Sequence, residues 1–263
     1  MDSLRERLAA IEEAYGPWTA HDIQLAANVS TMGRGLQQQW RVDWFRYQFE
    51  RHASKPLVES RILDLACLEG LFAIEFARLG ASTVGVEIRD AHLAKCQFAK
   101  EEIALDNVQF VKSDVRSMPP LGRFDIVICA GILYHLDFPD NIRFIESICR
   151  LADDLVIVDS HLAYEHITVS VLPLSEMLSF DDNGAQYSGR IMIEHAAHVS
   201  ENEMANQHPW ASIDNVRSVW LGERDVVGLF ARMGFALKER SYPSPEYEAA
   251  NPDRPTLVFK RSA

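Results

Sequence analysis

RILDLACLEGLFAIEFARLGASTVGVE, residues 61–87, decides the architecture. Residues 61–66 form a short apolar run. Residues 70–79 repeat apolar side chains with helical period and stop at Gly80, and Ser82–Glu87 is a second apolar run. Strand, helix and strand within about 30 residues make a βαβ unit, which lays two strands parallel.

Downstream the rhythm repeats. A helix is expected at 89–104, a strand at 107–111, a strand over Phe124–Ala130 that is apolar on both faces, a helix at 138–150 and a strand at 155–159. Continuous apolar strands alternating with helices imply a parallel sheet covered on both sides, and right-handed crossovers make it doubly wound. A helix at 223–233, strands at 235–241 and 256–261 and a Pro-rich turn at 243–255 suggest an antiparallel edge. The expected class is α/β, with a doubly wound, mostly parallel sheet and an antiparallel C-terminal edge.

Four segments follow. Residues 1–57 read as an N-terminal helical extension: a helix at 3–14 ended by Gly16-Pro17, loop at 20–38, then a helix at 39–53 packing Trp40, Trp44, Phe45 and Phe49 on the main domain. Residues 58–160 read as the core and 222–263 as its C-terminal part. Residues 161–221 have no clean period and read as an inserted cap, with the polar stretch 179–190 as a mobile lid tip.

Composition narrows the partners. The 263 residues are 48% hydrophobic and 24% charged, an ordinary globular balance. Twenty-six Lys and Arg against 38 Asp and Glu give a net charge of −12, which repels polyphosphates and disfavours nucleic acid. Arg34, Arg41, Arg46 and Arg51 could still form a local patch, suited to one carboxylate or phosphate on a small substrate. Cys67, Cys96, Cys129 and Cys149 form no C-x-x-C pair and read as buried thiols of a reducing compartment. The longest apolar run, Ile126–Tyr134, falls far short of the ~20 residues of a membrane span. A cytoplasmic protein without a membrane partner is expected. The aromatic N-terminal helix and the insertion offer a contact for a homo-oligomer.

In an open α/β sheet the ligand sits beyond the carboxyl ends of the strands. The first strand leads into Asp64-Leu65-Ala66-Cys67-Leu68-Glu69-Gly70, whose small residues at 66 and 70 let a ligand approach the backbone. The G-x-G-x-x-G of a pyrophosphate site is absent. Asp64 and Glu69 would repel phosphate and suit a cationic ligand without one, such as S-adenosylmethionine. Glu87, followed by Ile88, ends the second strand, where a carboxylate can accept both ribose hydroxyls. Asp114 could accept from the adenine amine with Val115 against the ring. Ala130, ending the fourth strand, would let the methionine part pass close to the backbone.

Together LDLACLEG (63–70), VGVE (84–87), SDV (113–115) and IVICAGILYHL (126–136) resemble the class I, Rossmann-like S-adenosylmethionine-dependent methyltransferases. The resemblance covers residues 58–160 and, less closely, 223–261. It implies that the loop 64–70, Glu87, Asp114 and Ala130 hold the cofactor. The family's first motif usually has Gly where this chain has Ala66. GILYHLDFPDNI (131–142) and MGF (233–235) are similar to the branch with the tRNA wobble-uridine carboxymethyltransferase and its small-molecule relatives.

Methyl transfer to a hydroxyl needs a base or a metal. The candidate bases are His135 and His161, with His195 and His198 in the insertion and Asp159 orienting a histidine. A divalent cation held by Asp159, His161 and His195 is the lesser alternative, since no compact ligand motif is present. Tyr164, Tyr187, Trp210 and Trp220 are either satellite core or a wall that stacks on a sugar ring. The expected activity is methylation of a hydroxyl on a small, polar, anionic metabolite: a sugar, a glycoside such as a sugar acid, or a hydroxy acid. The alternatives are a tRNA-modifying alkyltransferase and a catalytically silent S-adenosylmethionine binder.

Overall fold

The computed structural model describes residues 3–34, 38–166, 174–208 and 210–262. In chain order the elements are α1 (Leu4–Tyr15), β1 (Gln24–Ala26), β2 (Val29–Ser30), α2 (Gln39–His52), β3 (Arg61–Leu65), α3 (Leu71–Arg78), β4 (Ser82–Glu87), α4 (Asp90–Ile103), β5 (Val108–Lys112) and β6 (Phe124–Ala130). They continue with α5 (Asp140–Leu151), β7 (Ala152–Asp159), β8 (Leu178–Asp182), β9 (Ala185–Ile193), α6 (Glu201–Gln207), β10 (Arg217–Leu221), α7 (Glu223–Arg232), β11 (Phe235–Ser241), α8 (Pro245–Ala250) and β12 (Thr256–Arg261).

Seven strands share one sheet in the order β11-β12-β7-β6-β3-β4-β5. β4 runs parallel to both β3 and β5, and β12 is antiparallel to β7 and to β11. After β5 the chain returns to the other side of β3, so strand order reverses there, as expected of a doubly wound sheet. The antiparallel C-terminal edge is also as expected.

By internal contacts the chain divides into two units, Met1–Ile128 and Cys129–Ala263. In the first, Phe45 of α2 packs on Phe72 of α3 at 4.9 Å, and Phe49 on Phe76 at 4.8 Å. The aromatic stripe of α2 therefore splits: Phe45 and Phe49 enter the core, whereas Trp40 is 41% exposed. Gly85 sits at the crowded centre of β4, where a Cβ would lie 2.7 Å from the Phe110 ring and 2.9 Å from Cys67 Sγ. Residues 20–38, expected as loop, contain the β1–β2 hairpin.

In the second unit Phe230 of α7 stacks on Phe259 of β12 at 3.9 Å. β7 begins at Ala152, three residues before the expected start, and α8 interrupts the Pro-rich turn. The largest departure lies in 161–221, whose described part is an ordered three-stranded antiparallel sheet, β10-β9-β8, followed in sequence by α7. β8 and β9 are joined at Asn183-Gly184, with φ +54° and +86°, a two-residue hairpin turn. The polar stretch 179–190 is thus paired strand rather than lid tip. Arg143 of α5 clamps its Asp182 with two hydrogen bonds of 2.7–2.8 Å. All four cysteines are buried and free.

Candidate active site

In the first unit the loop 66–70 bends through left-handed backbone three times, at Ala66 (φ +52°), Leu68 (+50°) and Gly70 (+87°). Glycine takes this conformation without cost, whereas a Cβ costs about 1–2 kcal/mol. Ala66 adopts it nonetheless. Ala66→Gly is therefore expected to raise stability by about 1 kcal/mol, read as a higher denaturant midpoint. The smallness of Gly70 serves packing: a Cβ there would lie 3.0 Å from both Cys96 Sγ and the Phe110 ring.

Three segments meet at Glu87, which is buried at the end of β4. Its Oε2 accepts from Leu68 N at 2.9 Å, and its Oε1 from Ile88 N at 3.0 Å and Arg89 N at 2.8 Å. Its carbonyl accepts from Ser113 N at 3.0 Å, which brings the Asp114 segment alongside. A carboxylate has about four lone-pair sites, so one remains, on Oε2. Glu87 cannot take both hydroxyls of a ribose without giving up a backbone bond, contrary to the sequence expectation.

Asp114 departs further. The Arg116 guanidinium grips its carboxylate at 2.5–3.0 Å and Arg116 N adds a bond at 2.8 Å. Burial alone would raise this carboxyl, but the Arg116 bonds outweigh burial and hold it below the usual range. An adenine amine would have to compete with that grip. Val115 is buried beside it, Leu65 is buried, and Ile88 is half-buried.

Glu69, expected to face a cationic ligand, is consumed internally. Its carboxylate accepts from the backbone N–H of Thr19, Ala20 and His21 at 2.8–2.9 Å and from Lys95 Nζ at 3.2 Å. Lys95 also donates to the Pro17 carbonyl at 2.6 Å, so residues 17–21 are fastened onto the loop. His21 Nδ1 accepts from Leu71 N at 3.3 Å, capping α3, and burial pushes its pKa down to about 4. Among the described residues Asp64 accepts only from Ala73 N, at 3.2 Å, and burial pushes its carboxyl up to about 7. Among the four arginines, Arg41 lies 5.3 Å over the Phe72 ring, Arg46 pairs with Glu50 on the helix surface and Arg51 donates to Tyr47.

The titrations of Asp64 and His21 oppose one another. Between about pH 4 and 7 folded Asp64 keeps a proton that the unfolded chain releases, so its contribution to stability falls as pH rises. His21 does the reverse between about pH 4 and 6.5. Asp64→Asn removes only the first effect. Its stability relative to wild type is expected to rise by up to about 1.4 kcal/mol per pH unit from pH 4 to 7, measured by denaturation across that range.

In the second unit two histidines each have Nδ1 held by a buried carboxylate. His161 Nδ1 is 2.8 Å from Asp253 Oδ2, and His135 Nδ1 is 3.0 Å from both oxygens of Glu194. Tyr134 packs against both rings, at 4.3 Å from His135 and 4.9 Å from His161, and His161 stacks on Trp220 at 4.7 Å. Among the described residues neither Nε2 has a protein partner. The two carboxylates differ in commitment. Glu194 also accepts from Ser218 Oγ and Ser212 N; burial would raise it, but the bonds from His135, Ser218 and Ser212 hold it below the usual range. Among the described residues Asp253 gives its side chain to His161 alone.

Asp159 meets an arginine. Its carboxylate takes Arg254 Nε at 2.7 Å, and its carbonyl takes Gly131 N at 2.9 Å just after the half-buried Ala130. His195 is buried with Nε2 on the Ser212 carbonyl at 2.6 Å, while His198 is exposed. Among the described residues no group of three or more His, Cys, Asp and Glu side chains could hold a metal ion. Of the aromatic wall, Trp220 and Tyr187 are buried, Tyr164 is pinned to Glu223, and Trp210 is 55% exposed. Trp220 and Tyr187 are core.

Residues 62–154 match the family profile described as a methyltransferase domain. The likeness to a methyltransferase domain is confined to this segment, which runs from β3 into β7. The tRNA U34 carboxymethyltransferase of Shewanella pealeana is 30% identical over 160 residues, which cover 59% of this chain and 46% of that protein. The chain spans about half the length of the curated relatives it matches. Among solved structures, the N-terminal domain of EvdMO1, crystallised with S-adenosylhomocysteine (SAH) and D-fucose, superposes with a TM-score of 0.66 at 22% identity, over 100% of this chain and 98% of that one. Magnesium protoporphyrin IX methyltransferase from Synechocystis PCC 6803, with bound SAH, superposes with a TM-score of 0.55 at 18% identity, over 85% and 83%. The matched segment ends within β7, before the strand end that leads to His161, and Asp253 lies nearly a hundred residues beyond it.

Proposed function

We propose that the chain methylates a hydroxyl of a small polar acceptor, a sugar, glycoside or hydroxy acid, with S-adenosylmethionine as donor. The observation that carries this reading is the His161–Asp253 pair: a buried carboxylate committed to Nδ1 leaves Nε2 to accept a proton.

The donor's fit rests on the first unit. Glu87 offers one unused lone pair to a ribose hydroxyl, and its buried carboxylate suits a nucleoside without phosphates. Leu65, Ala66, Cys67, Gly70, Ile88 and Val115 would line its path, with Asp114 at the base once Arg116 gives way. Bound, S-adenosylmethionine supplies a methyl group on a positively charged sulfur, with its leaving group already in place.

An alcohol is a weak nucleophile while protonated, so the protein must remove that proton as the new C–O bond forms. His161 Nε2 takes it, and Asp253 stabilises the imidazolium while fixing the ring. Tyr134 and Trp220 hold the imidazole plane. Full-length similarity to a domain crystallised with D-fucose is in keeping with a sugar acceptor. The 30% identity to a tRNA carboxymethyltransferase favours a second reading, alkylation of tRNA, against which stands the net charge of −12.

Calorimetry with SAH and transfer of tritiated methyl to metabolite fractions and to total tRNA test both readings. Micromolar SAH binding with label in small polar metabolites is expected. Label in tRNA alone would replace the acceptor class, and no SAH binding would sink the donor assignment.

A further inference from the structure

His92, on the first turn of α4, is 4% exposed. Among the described residues its buried Nδ1 has no hydrogen-bond partner, and it lies 3.7 Å from Glu87 Oε1. A buried polar atom left unpaired is costly, and native structures leave few. The neighbouring carboxylate explains why this one stays unpaired: Oε1 already accepts from two backbone N–H groups and cannot serve a third donor well.

A ribose presents two adjacent hydroxyls, and Glu87 has one lone pair to spare. The second hydroxyl therefore needs another partner, and the unpaired nitrogen of His92 stands beside that carboxylate. A diol lying alongside the two groups takes one hydrogen bond of roughly 2.7–3.0 Å from each. Residues 88–90, which join Glu87 to α4, are half-buried or exposed.

We infer that His92 is a donor-binding residue, its Nδ1–H donating to one ribose hydroxyl while Glu87 Oε2 accepts from the other. The inference rests on the reading of the chain as an S-adenosylmethionine-dependent enzyme and assigns its ribose recognition to a pair rather than to one carboxylate.

The test is calorimetry of wild type, His92→Phe and His92→Asn with SAH and with its 2′-deoxy and 3′-deoxy analogues, alongside thermal unfolding. His92→Phe keeps the ring shape and removes the nitrogen, whereas His92→Asn returns a donor near the Nδ1 position. For SAH, His92→Phe is expected to weaken binding about tenfold, with most of that restored by His92→Asn and no loss of Tm. For one of the two deoxy analogues the His92→Phe loss should vanish, because the hydroxyl it served is gone. An equal loss for all three ligands, or no loss for SAH, overturns the inference while leaving the methyltransferase reading intact. A wild type that ignores SAH overturns both.

Discussion

Asp253→Asn is expected to lower kcat about 10²–10⁴-fold, the range that a positioned general base contributes, with donor binding unchanged. The reason is tautomeric. The carboxylate accepts from Nδ1–H of His161, which leaves Nε2 unprotonated and able to take the acceptor's proton. An asparagine amide can instead donate to Nδ1, which moves the ring proton to Nε2 and disables the base. His161→Ala should fall as far, because it removes the same function. His135→Ala should cost less than about tenfold, since the Glu194 that holds it is tied to Ser212 and Ser218 and serves structure. Initial rates and a pH profile of kcat on the labelled acceptor fraction decide this. A collapse in His135→Ala with an active His161→Ala would move the base to the other histidine, and full activity in both would remove general-base catalysis by either.

Glu87→Ala should weaken SAH binding about 100-fold in calorimetry. A charge-assisted hydrogen bond is worth about 1.5–3 kcal/mol, and the same carboxylate orders Leu68, Ile88 and Arg89 through their backbone N–H groups. The variant loses a ligand contact and a scaffold together. A Kd within threefold of wild type would mean that the nucleoside is held elsewhere.

The parallel half of the sheet was legible because its signal is local. β3, β4 and β6 are apolar on both faces, and Glu87 follows from its place at a strand end. The insertion was not, because β8 and β9 carry Asp, Ser, Gly and Gln on half-exposed faces and lack the β-branched alternation that marks strands. One signal was available: Asp182-Asn183-Gly184 is the dipeptide chemistry of a tight hairpin. Histidine partners were beyond reach for another reason. Glu194 lies 59 residues from His135 and Asp253 lies 92 from His161, and nothing near either carboxylate announces the pairing. Asp159 was the reasonable choice by sequence proximity, and Arg254 claims it. Glu69 misled in the same way, since its consumers, the backbone groups of residues 19–21, carry no side-chain signature.

Glu69 also decides where the chain can be cut. The stretch that matches the methyltransferase-domain family begins at residue 62, inviting a shortened version for crystallisation or screening. Such trimming would remove Thr19, Ala20 and His21 and strand an anion with 0% exposure on Lys95 alone. Losing partners of a buried charge costs about 3–5 kcal/mol, a large share of a domain's total stability. The minimal folding unit therefore starts well upstream of the homologous segment, and solubility screens of N-terminal deletions should break sharply between residues 17 and 22.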